Sequence, residues 1–370
     1  MTHVRRLGVL TAGGDCPGLN AVIRAVTKDA RFNNIEVLGI EDGFLGLIED
    51  RVRPLHSGDV SNILTSGGTI LGSSNKANPT RFATGTNGDG SVKFEDVSER
   101  AIGTIRRHGM DAVVVIGGDG SMSISHELRN AAARMGEDLN FIGVPKTIDN
   151  DLVGTEITFG FSTAVAIATE ALDRVHTTAA SHHRVMVVEV MGRNAGWIAL
   201  HAGVASGSDV ILIPEIPFHL DSVGDVVLSR SKRGKRFSIV CVAEGARPAG
   251  GEKLVARVDP TSPDPIKLGG VGRFVAEALE KDTGVESRYV VLGHVQRGGT
   301  PVATDRVLAT QLGHHAMTLL KAGERNVMVA VQQGRLARVP IEHAAGKQRT
   351  VPMDAPLLEA ARAVYTSFGE

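Results

Sequence analysis

Apolar, largely β-branched runs that end in glycine-bearing turns constrain this chain more than any other feature. Leu7–Thr11, Ile35–Ile40, Ala112–Ile116 and Phe141–Val144 are continuous, as expected of strands buried on both faces. Arg184–Val190, Val210–Ile213, Phe237–Ala243, Tyr289–Leu292 and Val327–Val331 repeat the pattern. Between them, Asn20–Ala30, Ser121–Met135, Ser162–Thr178 and Asp305–Leu320 have the character of helices. Strand, glycine turn, helix, strand is the order that builds a parallel sheet with crossover helices, so the sequence predicts a doubly wound α/β protein. Ligands of such sheets bind at the carboxyl ends of the strands, which is where the glycine clusters fall.

A chain of 370 residues suits two packed lobes or one large α/β unit. The favoured break is Thr158–Gly160, after an Asp-rich loop and before the long Ser162–Thr178 helix. That predicts one lobe from residues 1–159 with about 296–345, and a second from 160–295 with a C-terminal helix at about 346–370. Pro248–Leu268, rich in proline, glycine and mixed charges, reads as a surface loop or insertion.

Charge and composition exclude several classes. Forty Lys and Arg against 41 Asp and Glu leave a net charge of −1, which argues against a dedicated nucleic-acid or anionic-membrane binder. Eleven Phe, two Tyr and one Trp are too few for a base-stacking platform. Cys16 and Cys241 cannot form a disulfide framework or a cysteine-based zinc site. No apolar run is long enough to span a bilayer, and Leu7–Leu10 after Arg5-Arg6 is too short for a signal-peptide core. A cytoplasmic location is the expectation.

Three clusters could carry chemistry. Thr11-Ala12-Gly13-Gly14-Asp15-Cys16-Pro17-Gly18 follows the first strand; its bare backbone could admit a polyanion at the start of the next helix, or it is simply a tight turn. Ile116-Gly117-Gly118-Asp119-Gly120-Ser121 follows another buried strand. Asp119 suits a metal ion and the N–H groups of Gly120 and Ser121 suit phosphate, with helix capping as the plainer alternative. There is no Walker loop, and Gly270-Val271-Gly272 lacks a preceding strand, so it does not count as a dinucleotide fingerprint. The sharpest cluster is Pro145-Lys146-Thr147-Ile148-Asp149-Asn150-Asp151. On extended backbone residues i and i+2 face the same way, which would aim Asp149 and Asp151 at one site, one as general base and one near a cation. A solvated acidic turn is the alternative.

Basic residues gather at strand ends. Arg184 opens one strand and Met191-Gly192-Arg193 closes it; Arg288 opens another that leads to Gly293-His294-Val295-Gln296-Arg297-Gly298-Gly299. Together they suit a phosphorylated small molecule, because guanidinium forks match phosphate oxygens. Glu244 is a plausible acceptor for substrate hydroxyls.

These motifs, in this order, resemble those of 6-phosphofructokinases over most of the chain. The carriers are Gly13-Gly14-Asp15, Gly117-Gly118-Asp119-Gly120-Ser121, Thr147-Ile148-Asp149-Asn150-Asp151, Met191-Gly192-Arg193 and Gly293–Gly299. Lipid and NAD kinases share the Gly-Gly-Asp-Gly turn but not the other motifs. The resemblance implies two Rossmann-like lobes of the phosphofructokinase fold, the first for the phosphoryl donor and the second for the sugar phosphate. It implies transfer from MgATP to the 1-hydroxyl of fructose 6-phosphate in glycolysis. By it, Asp149 is the general base, Asp119 the Mg²⁺ carboxylate, Asp151 an electrostatic support, and Thr147 a contact to substrate or transferring phosphoryl. Arg193 steadies the transferring group, Met191, Gly192 and Glu244 line the sugar site, and His294 and Arg297 bind the sugar phosphate. Arg184 and Arg288 do so from a neighbouring subunit, which implies a homodimer or homotetramer. Gly14, Asn75, Lys76, Gly118, Asp119, Gly120 and Ser121 form the ATP site.

Family members use ATP or pyrophosphate. Gly120 leaves room for an α-phosphate where pyrophosphate users typically carry Asp, whereas Lys146 stands where lysine accompanies pyrophosphate use. The expectation follows Gly120: an ATP-dependent enzyme of mixed signature, with a pyrophosphate-dependent enzyme and a non-catalytic phosphometabolite-binding subunit as alternatives. Asn75 followed by Lys76 replaces the family's usual arginine facing the donor phosphates. Lys28, His176 and Asp209 depart from the basic allosteric site of bacterial relatives, where Arg24 remains, and predict a weak or altered response to nucleoside diphosphate and phosphoenolpyruvate.

Overall fold

The β-branched runs become the centres of two sheets. The computed structural model describes residues 4–261 and 265–370. Its strands, in chain order, are β1 (Arg6–Thr11), β2 (Glu36–Ile40), β3 (Val52–Pro54), β4 (Phe82–Thr86), β5 (Val92–Glu95), β6 (Ala112–Gly117), β7 (Phe141–Pro145) and β8 (Val185–Val190). They continue with β9 (Val210–Leu212), β10 (Ser238–Ala243), β11 (Val255–Val258), β12 (Ile266–Leu268), β13 (Ser287–Val291), β14 (Val327–Gln332) and β15 (Arg335–Pro340).

A seven-stranded sheet has the order β15-β14-β7-β6-β1-β2-β3. Its central pairs are parallel, and only the edges β3 and β15 run antiparallel. A four-stranded, wholly parallel sheet has the order β13-β8-β10-β9. Every residue of β6, β7, β8 and β10 is buried, which explains why these strands read as nearly continuous apolar runs, interrupted only by Glu189 and Ser238, instead of alternating ones. The predicted helices appear as Leu19–Phe32, Asp119–Arg134, Phe161–His182 and Ala303–Lys321. Among the described residues no helix is long and apolar enough to cross a membrane.

Each sheet reverses its winding once. In the larger one the chain passes from β1 to β2 on one side and returns to β6 on the other, so the crevice lies where β1 and β6 end. In the smaller one β8 is flanked by β10 and β13, and the crevice lies where β8 and β13 end. The Gly13-Gly14 and Gly117–Ser121 turns follow the first pair; Met191–Arg193 and Gly293–Arg297 follow the second.

Two local expectations are corrected. Pro248–Leu268 is not merely loop: β11 and β12 pair as an antiparallel hairpin, with residues 262–264 outside the described residues. A strand, β12, does precede Gly270-Val271-Gly272, and the helix Val271–Thr283 follows. The glycines there seat that helix on a buried carboxylate. Glu189 of β8 accepts the N–H groups of Gly270 at 3.1 Å and Gly272 at 2.7 Å, and a β-carbon on Gly272 would come within 2.9 Å of Glu189 Cβ. The positive helix end is thus neutralised by protein and not by a phosphate.

Candidate active site

The first glycine turn is held from three sides. Gly13 N–H donates to the carbonyl of Ser74 at 3.1 Å, and the Ser73 hydroxyl donates to the Gly13 carbonyl at 2.6 Å. Lys146 Nζ donates to the carbonyl of Gly14 at 2.5 Å, and Arg297 Nη1 to that of Asp15 at 3.1 Å. Gly14 gives Arg297 room for this approach, since a β-carbon would stand 2.8 Å from Arg297 Nη1 and the guanidinium would have to shift. Two cations, one from each crevice, therefore converge on the same turn.

The second turn leads directly into the helix Asp119–Arg134, whose N-cap is Gly118 without a side-chain cap. The Asp119 carboxylate is thus not spent on capping. Ser121 is buried, and its hydroxyl packs beneath Gly117. Gly120 is exposed, and a β-carbon there would meet nothing within 4 Å.

The acidic motif is a buried turn, not a solvated one: Asp149 is 5% and Asp151 6% exposed. Nor is it extended, because Asn150 sits in the left-handed region at φ 52°. The two carboxylates share a site through that bend and not through strand alternation. Asp149 N–H donates to Thr147 Oγ1 at 3.0 Å, while Asp149 Oδ1 is buried without a hydrogen-bond partner. Burial raises the pKa of Asp149 against the opposing pull of Arg297, Arg193 and Lys146, and the charge of Asp119 adds to the rise. Burial together with the charges of Asp149 and Asp119 pushes Asp151 up to about 7. Burial also lowers the pKa of Lys146.

The opposite wall comes from the smaller sheet. Arg193, at φ 51°, donates its N–H to Glu244 Oε1 at 3.1 Å. Burial, then Asp149, pushes Glu244 up to about 7. Met191 N–H donates to Gln296 Oε1 at 3.3 Å, and Gln296 Nε2 donates to the Gly293 carbonyl at 3.0 Å, which ties the two basic loops together.

Thr147, Asp149, Asp151, Asp119, Lys146, Arg193, Glu244, Arg297 and Gly14 therefore face one crevice system. Of the other candidates, His294 and Asn75 are exposed. Lys76 reaches the hairpin, donating to Thr261 Oγ1 at 2.8 Å and pairing with Asp259 at 3.2 Å. Arg184 and Arg288 stand at the amino ends of β8 and β13, paired with Glu286 at 2.7 and 2.5 Å. Six-residue β8 spans roughly 20 Å, so within one chain they are far from Arg193 and Arg297. Gln296, Gly245 and Arg349 were not anticipated in any role; only Gln296 lies in a motif that stood out in the sequence.

The donor set can be tested for a divalent cation. Among the described residues no three His, Cys, Asp or Glu side chains form a protein-only site. The uncapped Asp119 instead suits Mg²⁺, which can take a single carboxylate and complete its shell from phosphates and water.

Comparison with known proteins places the chain as a whole. The phosphofructokinase family model matches residues 6–320. A Clostridium perfringens protein named ATP-dependent 6-phosphofructokinase 2 is 45% identical over the whole of both chains. An Amycolatopsis mediterranei protein named pyrophosphate–fructose 6-phosphate 1-phosphotransferase is 47% identical over 94% of this chain and 97% of its own. Among solved structures, Pichia pastoris phosphofructokinase in the T-state superposes with a TM-score of 0.77 at 31% identity. That match covers 93% of this chain but only 36% of the longer yeast chain.

Proposed function

The chain belongs to the phosphofructokinase family, and on that premise we propose that it transfers the terminal phosphoryl group of MgATP to the 1-hydroxyl of D-fructose 6-phosphate. The product is fructose 1,6-bisphosphate, a glycolytic step carried out in the cytoplasm. The observation that carries the reading is Asp149, a buried carboxylate with one unsatisfied oxygen and a raised pKa. Such a group is shielded from water and poised to accept a proton from an alcohol.

In this reading Asp149 takes the hydroxyl proton and Asp151 adds negative potential behind it. Thr147 orients the turn through its bond to the Asp149 N–H and touches the reacting groups. Arg193 and Arg297 neutralise charge that builds on the transferring phosphoryl and on the sugar phosphate, and Met191, Gly192, Glu244 and His294 complete the sugar site. Gly14, Gly118, Gly120 and Ser121 give backbone room and N–H groups to the donor, flanked by Asn75 and Lys76. Asp119 would hold Mg²⁺, which supplies charge neutralisation to the polyphosphate.

Arg184 and Arg288 serve the site of a second copy of this chain. Their place at the far ends of β8 and β13, beside the half-exposed Tyr289 and Val291 of an edge strand, supports self-association. Mixing inactive Arg184→Ala with inactive Asp149→Asn tests it: hybrid oligomers regain activity, and non-associating monomers do not.

Pyrophosphate use is the second reading, favoured by buried Lys146 on the Gly14 carbonyl. ATP and pyrophosphate assayed side by side with fructose 6-phosphate decide between them. Turnover with neither would leave a non-catalytic phosphometabolite binder. For effectors, Asp209 is engaged by Arg230 at 2.6 Å and His176 packs edge-on against Phe237, which supports a weak response in a steady-state assay.

A further inference from the structure

Residues 345–355, between the helices Ile341–Ala344 and Pro356–Ala363, run as an irregular strap over the acidic turn. Gln348 bridges Leu152 in antiparallel fashion. Arg349 N–H donates to the Asp151 carbonyl at 2.6 Å, and Arg349 Nη2 donates to the carbonyls of Asn150 at 2.8 Å and Glu156 at 2.9 Å. Both peptide planes that flank the Asp151 amide and carbonyl are thereby pinned by one residue.

The same strap grips the opposite wall. The Arg349 guanidinium lies 4.4 Å from the centroid of the Trp197 ring, and Trp197 Nε1 donates to the Arg349 carbonyl at 3.1 Å. Asn194 Nδ2 donates to Gln348 Oε1 at 3.0 Å. Glu215 accepts N–H groups from Val351 at 2.7 Å and from Gly196 at 3.0 Å. Asn194 and Gly196 belong to the loop that carries Arg193 after β8, and Trp197 opens the helix that follows it. The base-bearing turn comes from the larger sheet and the Arg193 loop from the smaller, so the strap sets their separation.

We propose that Arg349 is a positioning residue for phosphoryl transfer, holding the Asp149–Asp151 turn in register with the Arg193 loop through the carbonyls of Asn150 and Asp151 and the face of Trp197. It touches none of the reacting groups. The proposal rests on the reading of Asp149 as base. A planar fork that bonds two carbonyls while stacking on an indole is a task for arginine that lysine does incompletely.

Steady-state kinetics of the full chain with ATP and fructose 6-phosphate test this. Arg349→Met is expected to lose about 30- to 100-fold in kcat, the scale of a misplacement near 1 Å, with KM for fructose 6-phosphate within about threefold of wild type. Arg349→Lys regains part of the loss, and millimolar guanidinium raises the kcat of Arg349→Ala. An Arg349→Met kcat within about threefold of wild type overturns the proposal. So does a kcat loss that merely tracks loss of folded protein in thermal melts, without a guanidinium response. Should Arg349→Met not fold, Arg349→Lys decides: lowered kcat at unchanged KM and melting supports the role, and unchanged kcat refutes it. Asp149→Asn separates the two ideas. An active Asp149→Asn removes the base assignment and this proposal with it; an inactive one beside a wild-type-like Arg349→Met removes this proposal alone.

Discussion

The carbonyl of Arg193 packs against the Cα of Gly245 so closely that a β-carbon on Gly245 would overlap its oxygen. Gly245 directly follows Glu244, which accepts the Arg193 N–H. One short segment after β10 thus holds Arg193 from both sides of its peptide. Gly245→Ala must displace the Arg193 backbone, because the clashing partner is main chain and cannot rotate away. The expected result is at least a tenfold or so loss in kcat with the fold retained, read by steady-state kinetics beside circular dichroism.

Asp149→Asn should cost about 10²- to 10⁴-fold in kcat, the range for removing a positioned base, with little change in KM. It should also melt at a higher temperature than wild type. Burial penalises the charged form of Asp149, and a neutral amide escapes that penalty. A variant both inactive and stabilised would mark Asp149 as a site where stability has been given up for chemistry.

Asp151 and Glu244, each pushed up to about 7, make a pH prediction of definite sign. In the unfolded chain both lose their protons near pH 4, but the folded chain keeps them until near 7. The folded state therefore binds more protons across that window, and stability from these groups falls as pH rises through it. Thermal melts of the free protein from pH 5.5 to 8 should show the decline, and Asp151→Asn with Glu244→Gln should flatten it. A double variant as steep as wild type would refute the assignment.

Gly120→Asp isolates the donor question. The position is exposed, lies in the first turn of its helix and borders open space, so the substitution leaves the fold intact and a carboxylate there even suits the helix dipole. ATP turnover should nonetheless fall by at least about 100-fold through clash and repulsion with the donor. Unchanged ATP kinetics would refute the steric argument; a gain in pyrophosphate turnover would show that this one position divides the two donors.

Much of this was legible in the sequence because burial on both faces leaves a local mark. The runs that became β6, β7, β8 and β10 are apolar at nearly every position, Glu189 and Ser238 being the polar exceptions, and the turns after β1 and β8 carry glycines where a cation, at Gly14, or a carbonyl, at Gly192, crowds the backbone. The acidic pair was visible too, but its geometry was not: a left-handed Asn150 replaces the extended backbone that the i, i+2 spacing suggests. The hairpin β11–β12 escaped notice because its strands are short and mostly exposed, so no hydrophobic period announces them. Gly245 looks like any loop glycine until the Arg193 carbonyl lies against it. Arg349 meets Asn150 across 199 residues of chain, and no spacing rule reaches that far.

That separation also fixes when the site can mature. Both sheets are complete once Pro340 is in place, but the clamp on the acidic turn arrives only with Gln348 and Arg349. A polypeptide that stops at Ala344 would lack that clamp, together with the buried Val351, Leu358, Ala361 and Phe368 that the following segment adds to the core. The base and the Arg193 loop are therefore brought into register only after the strands that carry them have been synthesised.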